Sequence, residues 1–385
     1  MRRTLFDGDP GTYRAYRDLV RQLLAAHVEP FAEDWEEQRA IPPALYRTLG
    51  AAGVFGVRVP VEYGGAGETS FVYNAILLEE IARGSVILGP ATIHQNVVVP
   101  YLVEHGTSEQ RRRWLPRMVS GELMGAIAMT EPGGGSDLAG LRSSAVLDGD
   151  HYILNGAKTF ITGGGNAGLF VVVARTGQDT DRRAGLTLLV VEDERSGFSR
   201  GRTLRKLGLH AQDTVELFFA DVRVPVANVL GEVGRAFEYL TANLPQERLA
   251  IAVGSLAMAE SMLADTIAYT RNRTVFGASL ASRQNTKFVL AGLAAQLEAG
   301  RCLVDRAITE HDAGTLTGAD AAKVKLVATE LQGQVADQCL QLHGGYGFMA
   351  EYRIARRYAD ARSTRLYGGS SEIMKTIIAK SLELR

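Results

Sequence analysis

The sequence predicts an α+β protein whose helical segments flank a block of strands. Three observations carry this reading. Apolar residues recur at helical spacing up to about residue 124 and again from about residue 232. Between those limits, short runs rich in β-branched and aromatic residues stand between turn residues. No βαβ alternation occurs, which argues against a doubly wound sheet. The expected domains are an N-terminal helical domain at 1–124, a middle β domain at 125–232 and a C-terminal helical bundle at 233–385.

Tyr13 to Phe31 carries apolar positions at helical spacing, and Pro43 to Leu49 does so after a proline start. Tyr63-Gly64-Gly65-Ala66-Gly67 is a loop, and Ser70 to Ile81 resumes the helical period. In the middle region, Tyr152-Ile153-Leu154 and Thr159-Phe160-Ile161-Thr162 flank Asn155-Gly156. That dipeptide suits the positive φ of a tight turn and predicts a hairpin there. Leu169 to Ala174, Leu186 to Val191 and Val215 to Phe219 read as buried strands, and Pro225 closes the region. Beyond it, Leu249, Val253, Leu256 and Leu263 form one apolar stripe, and Ala321 to Leu342 holds another. Long helices joined by glycine-rich turns suggest a bundle.

The chain has 385 residues, 46% apolar and 22% charged, an ordinary balance for several domains with a large core. A formal net charge of −1 leaves no electrostatic footprint for nucleic acid or anionic lipid. The two cysteines, Cys302 and Cys339, fall in apolar helical patterns and are expected as buried free thiols of a reducing compartment. No Cys/His cluster has metal-ligand spacing, so no metal is expected. The basic start, Met1 to Asp7, lacks the apolar stretch of a signal peptide. No run approaches the ~18 apolar residues of a membrane span. These features predict a cytoplasmic protein.

Four motifs carry candidate chemistry. Thr130-Glu131-Pro132-Gly133-Gly134-Gly135-Ser136-Asp137 opens the strand region. Its glycines let a backbone approach a ligand and expose amides to it, with hydroxyls at Thr130 and Ser136 beside them. A simple glycine turn is the plain alternative. No Gly-Lys-Ser/Thr follows and no βαβ unit flanks it, so it is neither a Walker loop nor a dinucleotide fingerprint. Glu247 follows Pro245, which marks a helix start or a kink; a solvated charge is the local alternative. Arg271 to Gly277 ends a helix, with an arginine to pair phosphate and Phe276 to stack on a ring, or with charges that complement the helix macrodipole. Gln341 to Phe348 is a glycine-rich helix end in which His343 reads as a packed core histidine.

In order and spacing, these segments resemble the acyl-CoA dehydrogenase family over essentially the whole chain. The matching segments are Tyr63-Gly64-Gly65, Thr130 to Asp137, Asn155 to Lys158 with Phe160-Ile161-Thr162, Arg273 to Gly277, Gln341 to Phe348, and Tyr367 to Glu372. The resemblance implies a helical domain, a β domain and a four-helix bundle, with non-covalent FAD in a dimer or homotetramer. It places Met129, Thr130, Gly135 and Ser136 along the flavin, and Phe160, Ile161 and Thr162 against its ring. Arg273, Phe276, Gln284, Gln341 and Gly345 match positions that reach the FAD of a neighbouring subunit. Ser370 matches a cofactor contact near the final helix. Ser136, Arg248 and Tyr367 are the candidate substrate contacts.

The chemistry that the resemblance implies is removal of a thioester α-proton by a carboxylate while hydride leaves the β-carbon for the flavin. Burial raises a carboxylate pKa towards that task, and hydrogen bonds to the thioester oxygen stabilise the developing enolate. By resemblance those donors are a flavin ribityl hydroxyl and the backbone amide of Gly368. Many relatives carry the catalytic glutamate at the position of Gly368. One branch, which includes the long-chain type, carries it at the position of Glu247 and shares the Tyr367 to Glu372 pattern. Glu247 is therefore assigned as the base, with Arg248 orienting its helix or the thioester. Glu372 is the rival carboxylate and reads as a first-turn helix charge. Ala359 stands where relatives often have arginine. The implied activity is α,β-dehydrogenation of an acyl-CoA to the trans-2-enoyl-CoA, with an electron-transfer flavoprotein as acceptor. The alternatives are the same reaction on an acyl-carrier-protein thioester, a flavin monooxygenase or oxidase on this fold, and an inert scaffold. Glu247 argues against the last two.

Overall fold

The computed structural model describes residues 3–177 and 182–384. The N-terminal part is helical: α1 (Pro10–His27), α2 (Ala32–Gln38), α3 (Pro43–Ala51), α4 (Val72–Arg83), α5 (Gly89–Ile93), a π-helical turn (His94–Val98), α6 (Val99–His105) and α7 (Ser108–Val119). Asp9 caps α1 by accepting from the Thr12 amide, with Pro10 at the first helical position. Thr107 and Gln110 close a reciprocal capping box on α7.

Strands β1 (Gly125–Ala128), β2 (Ser144–Asp148), β3 (His151–Thr162), β4 (Leu169–Arg175), β5 (Leu186–Glu192), β6 (Phe198–Thr203), β7 (Thr214–Pro225) and β8 (Val229–Leu230) form one sheet. Its order is β6-β7-β3-β2-β4-β5-β8, with β1 beside β4 in parallel. The unbroken apolar runs of β4 and β5 follow from burial on both faces. Leu169, Val171 and Val173 join the core shared with α6 and α7, while Phe170, Val172 and Ala174 fill the core of the β domain.

The C-terminal part comprises α8 (Ala236–Asn272), the short hairpin β9 (Thr274–Val275) and β10 (Ala278–Ser279), then α9 (Gln284–Asp312), α10 (Gly318–His343), α11 (Arg353–Ala361) and α12 (Ser371–Ser381). Leu249, Val253 and Leu256 of α8 share one core with Leu297 and Val304 of α9, Val324 and Val335 of α10, and Val72, Ala75 and Ile76 of α4. The bundle core therefore takes in a helix from the N-terminal part. By length and composition α8 would cross a membrane, with a window of mean hydropathy 1.3, but 61% of that window is buried inside the fold. Its apolar character serves this core.

The expected hairpin at Asn155-Gly156 is not formed. β3 runs through it, and the two-residue turn lies upstream at Gly149-Asp150, where Asp148 pairs with His151. Asn155-Gly156 is instead a bulge against β7. Gly156 has φ +146, and a Cβ there would lie 2.4 Å from Ser143 Oγ. Asn155 spends its amide across the strands, donating to Asp221 Oδ1 at 3.0 Å and accepting from the Asp221 amide at 2.9 Å. Pro245 is neither a helix start nor an end, since α8 continues on both sides of it. Of the two thiols, Cys339 is buried as expected, but Cys302 is exposed on α9.

A buried carboxylate ties the N-terminal part to the bundle. Glu79 of α4 is fully enclosed and meets Arg3 at 2.8 Å, Arg17 at 2.9 Å, Arg83 at 3.5 Å and Arg301 at 3.0 Å. Burial opposes its ionisation, but these four cations, Arg3 foremost, hold its pKa down to about 2. Glu79→Gln is expected to cost about 3–5 kcal/mol of stability at neutral pH, as for other buried pairs that lose one partner. Because the folded pKa lies below the usual 4.5, this contribution is present above about pH 4.5 and fades as pH falls towards 2. Urea unfolding across that range checks both statements. Equal midpoints for the variant and the parent at pH 7 would show that Glu79 contributes nothing.

Candidate active site

Glu247 sits on α8 with its side chain turned inward; the residue is 9% exposed. Tyr101 of α6 donates its hydroxyl to Glu247 Oε1 at 3.2 Å. Burial pushes the carboxyl pKa up to about 7, against the opposing pull of the Tyr101 hydrogen bond and the neighbouring Arg248 charge. Arg248 is itself buried, and its Nε has no partner among the described residues.

The π-helical turn is tied to this helix through Gln246. Pro100 has no N–H to give the carbonyl four residues back, so the Asn96 oxygen is left free. Gln246, next to the carboxylate, donates its amide to that oxygen at 3.0 Å, while its own Oε1 accepts from Arg58 at 3.0 Å. His94 anchors the same turn to the β domain. The Gly125 amide donates to its Nδ1 at 3.0 Å, so Nε2 carries the proton and donates to the Met118 carbonyl at 3.1 Å. Burial lowers the His94 pKa to about 4, which keeps the ring neutral.

Across from α8 lies the loop before α12. Gly368 and Gly369 both adopt left-handed backbone, with φ +64 and +91. A Cβ on Gly368 would lie 2.3 Å from Ile251 Cδ1, and Ile251 is one helical turn after Glu247. The loop thus rests on the helix face that carries the carboxylate. No acceptor among the described residues takes the Gly368 amide. Tyr367 is half exposed. Ser370 caps α12, accepting from the Ile373 amide at 3.4 Å. Glu372 is a solvated first-turn charge whose pKa is lowered by its own backbone amide and by Ser370, as expected for the rival carboxylate.

The glycine loop after β1 is held by a buried ion pair. Lys158, fully enclosed in β3, donates to Glu131 Oε1 at 2.9 Å and to the Met129 carbonyl at 3.0 Å. Glu131 also accepts from the amides of Arg142 at 2.7 Å and Ser143 at 2.8 Å. Burial disfavours its charge, but Lys158 first and then these donors bring its pKa to about 2. Beyond this anchor Gly133 and Gly134 face open space, Gly135 and Ser136 are exposed, and Met129 and Thr130 are partly buried. Phe160 is 68% exposed at φ +59, an unusual backbone for an aromatic residue, at the second irregularity between β3 and β7. Thr162 is half-buried on the same strand. Ile161 departs from expectation: strand alternation turns its side chain into the β core, leaving only its backbone near Phe160 and Thr162.

The remaining candidates gather elsewhere. A cavity of about 640 Å³ is lined by Tyr269, Arg273, Asn285, Gln341, His343 and Gly345, among others, and by none of the β-domain residues above. Arg273 lies over the Tyr346 ring at 5.5 Å. His343 is packed as expected, stacked on Tyr269 at 4.1 Å with Nδ1 on the Cys339 carbonyl. Gln284 opens α9 at the surface, and Phe276 is 98% exposed at φ +49.

Sequence reasoning did not reach Tyr101, Lys325 or the Asn96–Gln246 contact. Lys325 alone left a signal: it interrupts the apolar face formed by Ala321, Ala322, Val324 and Ala328 on α10.

A desolvated carboxylate can serve as a general base, and open glycines together with an exposed aromatic ring can receive a planar cofactor. Three family models match the chain: acyl-CoA dehydrogenase N-terminal domain over 11–122, middle domain over 126–222 and C-terminal domain over 234–383. The chain belongs to the acyl-CoA dehydrogenase family, and is an FAD-dependent enzyme of it. It is 41% identical over 368 residues to the mitochondrial long-chain specific acyl-CoA dehydrogenase of Rattus norvegicus, covering 95% of this chain and 85% of the rat protein. The solved acyl-CoA dehydrogenase of Geobacillus kaustophilus superposes with TM-score 0.95 at 45% identity, over 97% of this chain and 98% of that one. A glutaryl-CoA dehydrogenase of Mycobacterium smegmatis, solved with FADH2, superposes with TM-score 0.90 at 31% identity, over 99% of this chain and 97% of that one.

The residues present fit FAD. Gly133 to Gly135 leave room for close approach, Phe160 offers an aromatic face, and the cavity beside Arg273 pairs a cation with polar and aromatic walls. Lys158→Met is expected to leave Glu131 buried without its counter-charge, costing about 3–5 kcal/mol and loosening the cradle. Flavin content per chain after purification measures this. A folded variant with full FAD content would refute the anchoring role.

Proposed function

We propose that this protein oxidises acyl-CoA thioesters to the trans-2-enoyl-CoA and passes the electrons to an electron-transfer flavoprotein. The observation that carries the reading is Glu247: a buried carboxyl with a pKa near 7, on the helix face against which the Gly368 loop rests. Glu247 takes the α-proton onto a carboxylate oxygen as the α C–H bond breaks. The pair of electrons left behind delocalises towards the thioester oxygen, where the Gly368 amide donates. Tyr101 keeps Glu247 in place without competing for the proton, since burial and the neighbouring carboxylate raise its own pKa well above 10. FAD, when bound, supplies the two-electron acceptor for the hydrogen lost from the β-carbon. Met129, Thr130, Gly135, Ser136, Phe160, Thr162, the Ile161 backbone and Ser370 would hold its flavin side. Arg273, Phe276, Gln284, Gln341 and Gly345 would serve the cofactor of a neighbouring subunit. Ser136, Arg248 and Tyr367 would contact the thioester.

Glu247→Gln is expected to slow flavin reduction by acyl-CoA by at least about 10²–10⁴-fold with FAD retained, since the amide cannot accept a proton. Stopped-flow bleaching of the flavin under anaerobic conditions isolates this step. In the parent, the bleaching rate is expected to rise with pH through about 7, as Glu247 ionises. Glu372→Gln is the control and keeps most activity; loss there with normal reduction by Glu247→Gln would move the base to Glu372. Moving the carboxylate by Gly368→Glu is not expected to rescue Glu247→Gln, because that site has φ +64 and meets Ile251. Rescue is expected only when Ile251→Ala clears the space.

The exposed Phe276 and the cavity at Arg273 support a dimer or tetramer in which each subunit completes its neighbour's cofactor site. Light scattering at matched flavin content tests this. A monomer with full FAD occupancy is incompatible with it.

A further inference from the structure

Lys325 of α10 is 1% exposed, yet none of its hydrogen bonds goes to a carboxylate. Its ammonium donates to two backbone oxygens, that of Tyr367 at 2.7 Å and that of Gly369. These two carbonyls flank Gly368. The successive left-handed glycines at 368 and 369 let the chain turn both towards one lysine.

The consequence follows from peptide geometry. The Tyr367 carbonyl and the Gly368 N–H belong to one planar trans peptide and point in opposite directions. A lysine that grips the carbonyl therefore fixes the direction of the amide, which points away from Lys325 and meets no acceptor among the described residues. The cation also polarises that peptide, which makes its N–H a stronger donor. Arg248 adds a second buried positive charge close enough to lower the lysine's pKa, after burial, to about 8. Lys325 still carries its charge at neutral pH.

We propose that Lys325 is a positioning residue: it aims and polarises the Gly368 amide at the place where negative charge develops on a bound thioester oxygen. This rests on the thioester reading given above. A lysine that merely ties α10 to the loop would affect stability and leave the bound carbonyl unchanged, so the test reads the carbonyl itself.

Isotope-edited infrared spectra of carbonyl-labelled palmitoyl-CoA and butyryl-CoA on the holoenzyme, its flavin reduced beforehand so that the thioester is not oxidised, report the carbonyl's polarisation. The rate of α-proton exchange in deuterium oxide, with the flavin reduced beforehand, reports enolisation without net oxidation. In the parent the carbonyl band lies below that of free thioester and exchange is measurable. Lys325→Met is expected to move the band back towards its free position and to slow exchange about 10–100-fold, in the range of a weakened oxyanion donor, with FAD content retained. Glu247→Gln is expected to abolish exchange while keeping the shifted band. If Lys325→Met does not fold, Lys325→Gln, which keeps a neutral donor of shorter reach, is read in its place with the same expected direction. A parental band position and exchange rate in the variant overturn the role of Lys325 alone. A parent that neither shifts the band nor exchanges overturns the thioester reading and this proposal with it.

Discussion

A carboxylate inside a protein gives up the water that stabilises its charge, and Glu247 has little beyond the Tyr101 hydroxyl and the Arg248 charge in return. That imbalance raises its proton affinity, and the surroundings are arranged so that it persists. Pro100 withholds an N–H, the Asn96 carbonyl is freed, and Gln246 takes it, so the helix turn carrying the carboxylate cannot rotate towards solvent without breaking a buried hydrogen bond. The core that α8 shares with α4, α9 and α10 closes the other sides.

The β domain solves the opposite problem. Its glycine loop stays exposed: Glu131 and Lys158 join two segments 27 positions apart at the base, and Glu131 and Gly134 exchange backbone hydrogen bonds that close the turn. The pair takes part in four hydrogen bonds in one buried place, and Gly133 and Gly134 beyond it face open space. Phe160 stands next to this anchor in left-handed backbone, and its strain is sustained by the paired strand on either side.

Gly368 and Glu247 illustrate two exclusive placements of one charge. Ile251 occupies the space a side chain at Gly368 would need, and both glycines of the loop use backbone that branched or bulky residues avoid. A loop without side chains at 368 and 369 rests on α8, while the carboxylate comes from the helix beneath. Lys325 supplies the cation that keeps this bare loop in one orientation.

The order of helices, strands and helices was legible in the sequence because period and turn chemistry are local: α1, α3, β4 and β5 fall where their apolar patterns put them. The glycine loops and Glu247 stood out through their resemblance to a family, and Glu372 lies in the first turn of α12, where its sequence placed it. What remained hidden depended on partners distant along the chain. Asn155-Gly156 has the composition of a turn, but Ser143 and Asp221 make it a bulge. Ile161 was expected by resemblance against the flavin, yet strand alternation sends its side chain to the core. Tyr101 lies 146 positions from Glu247, and Lys325 lies 42 from the carbonyl it holds. The sequence by itself determined which segments form helices and strands and which residue types carry the chemistry. Only the tertiary structure decided which carboxylate is desolvated and which backbone carbonyls a buried lysine holds, because burial and hydrogen-bond direction are properties of the packed neighbours.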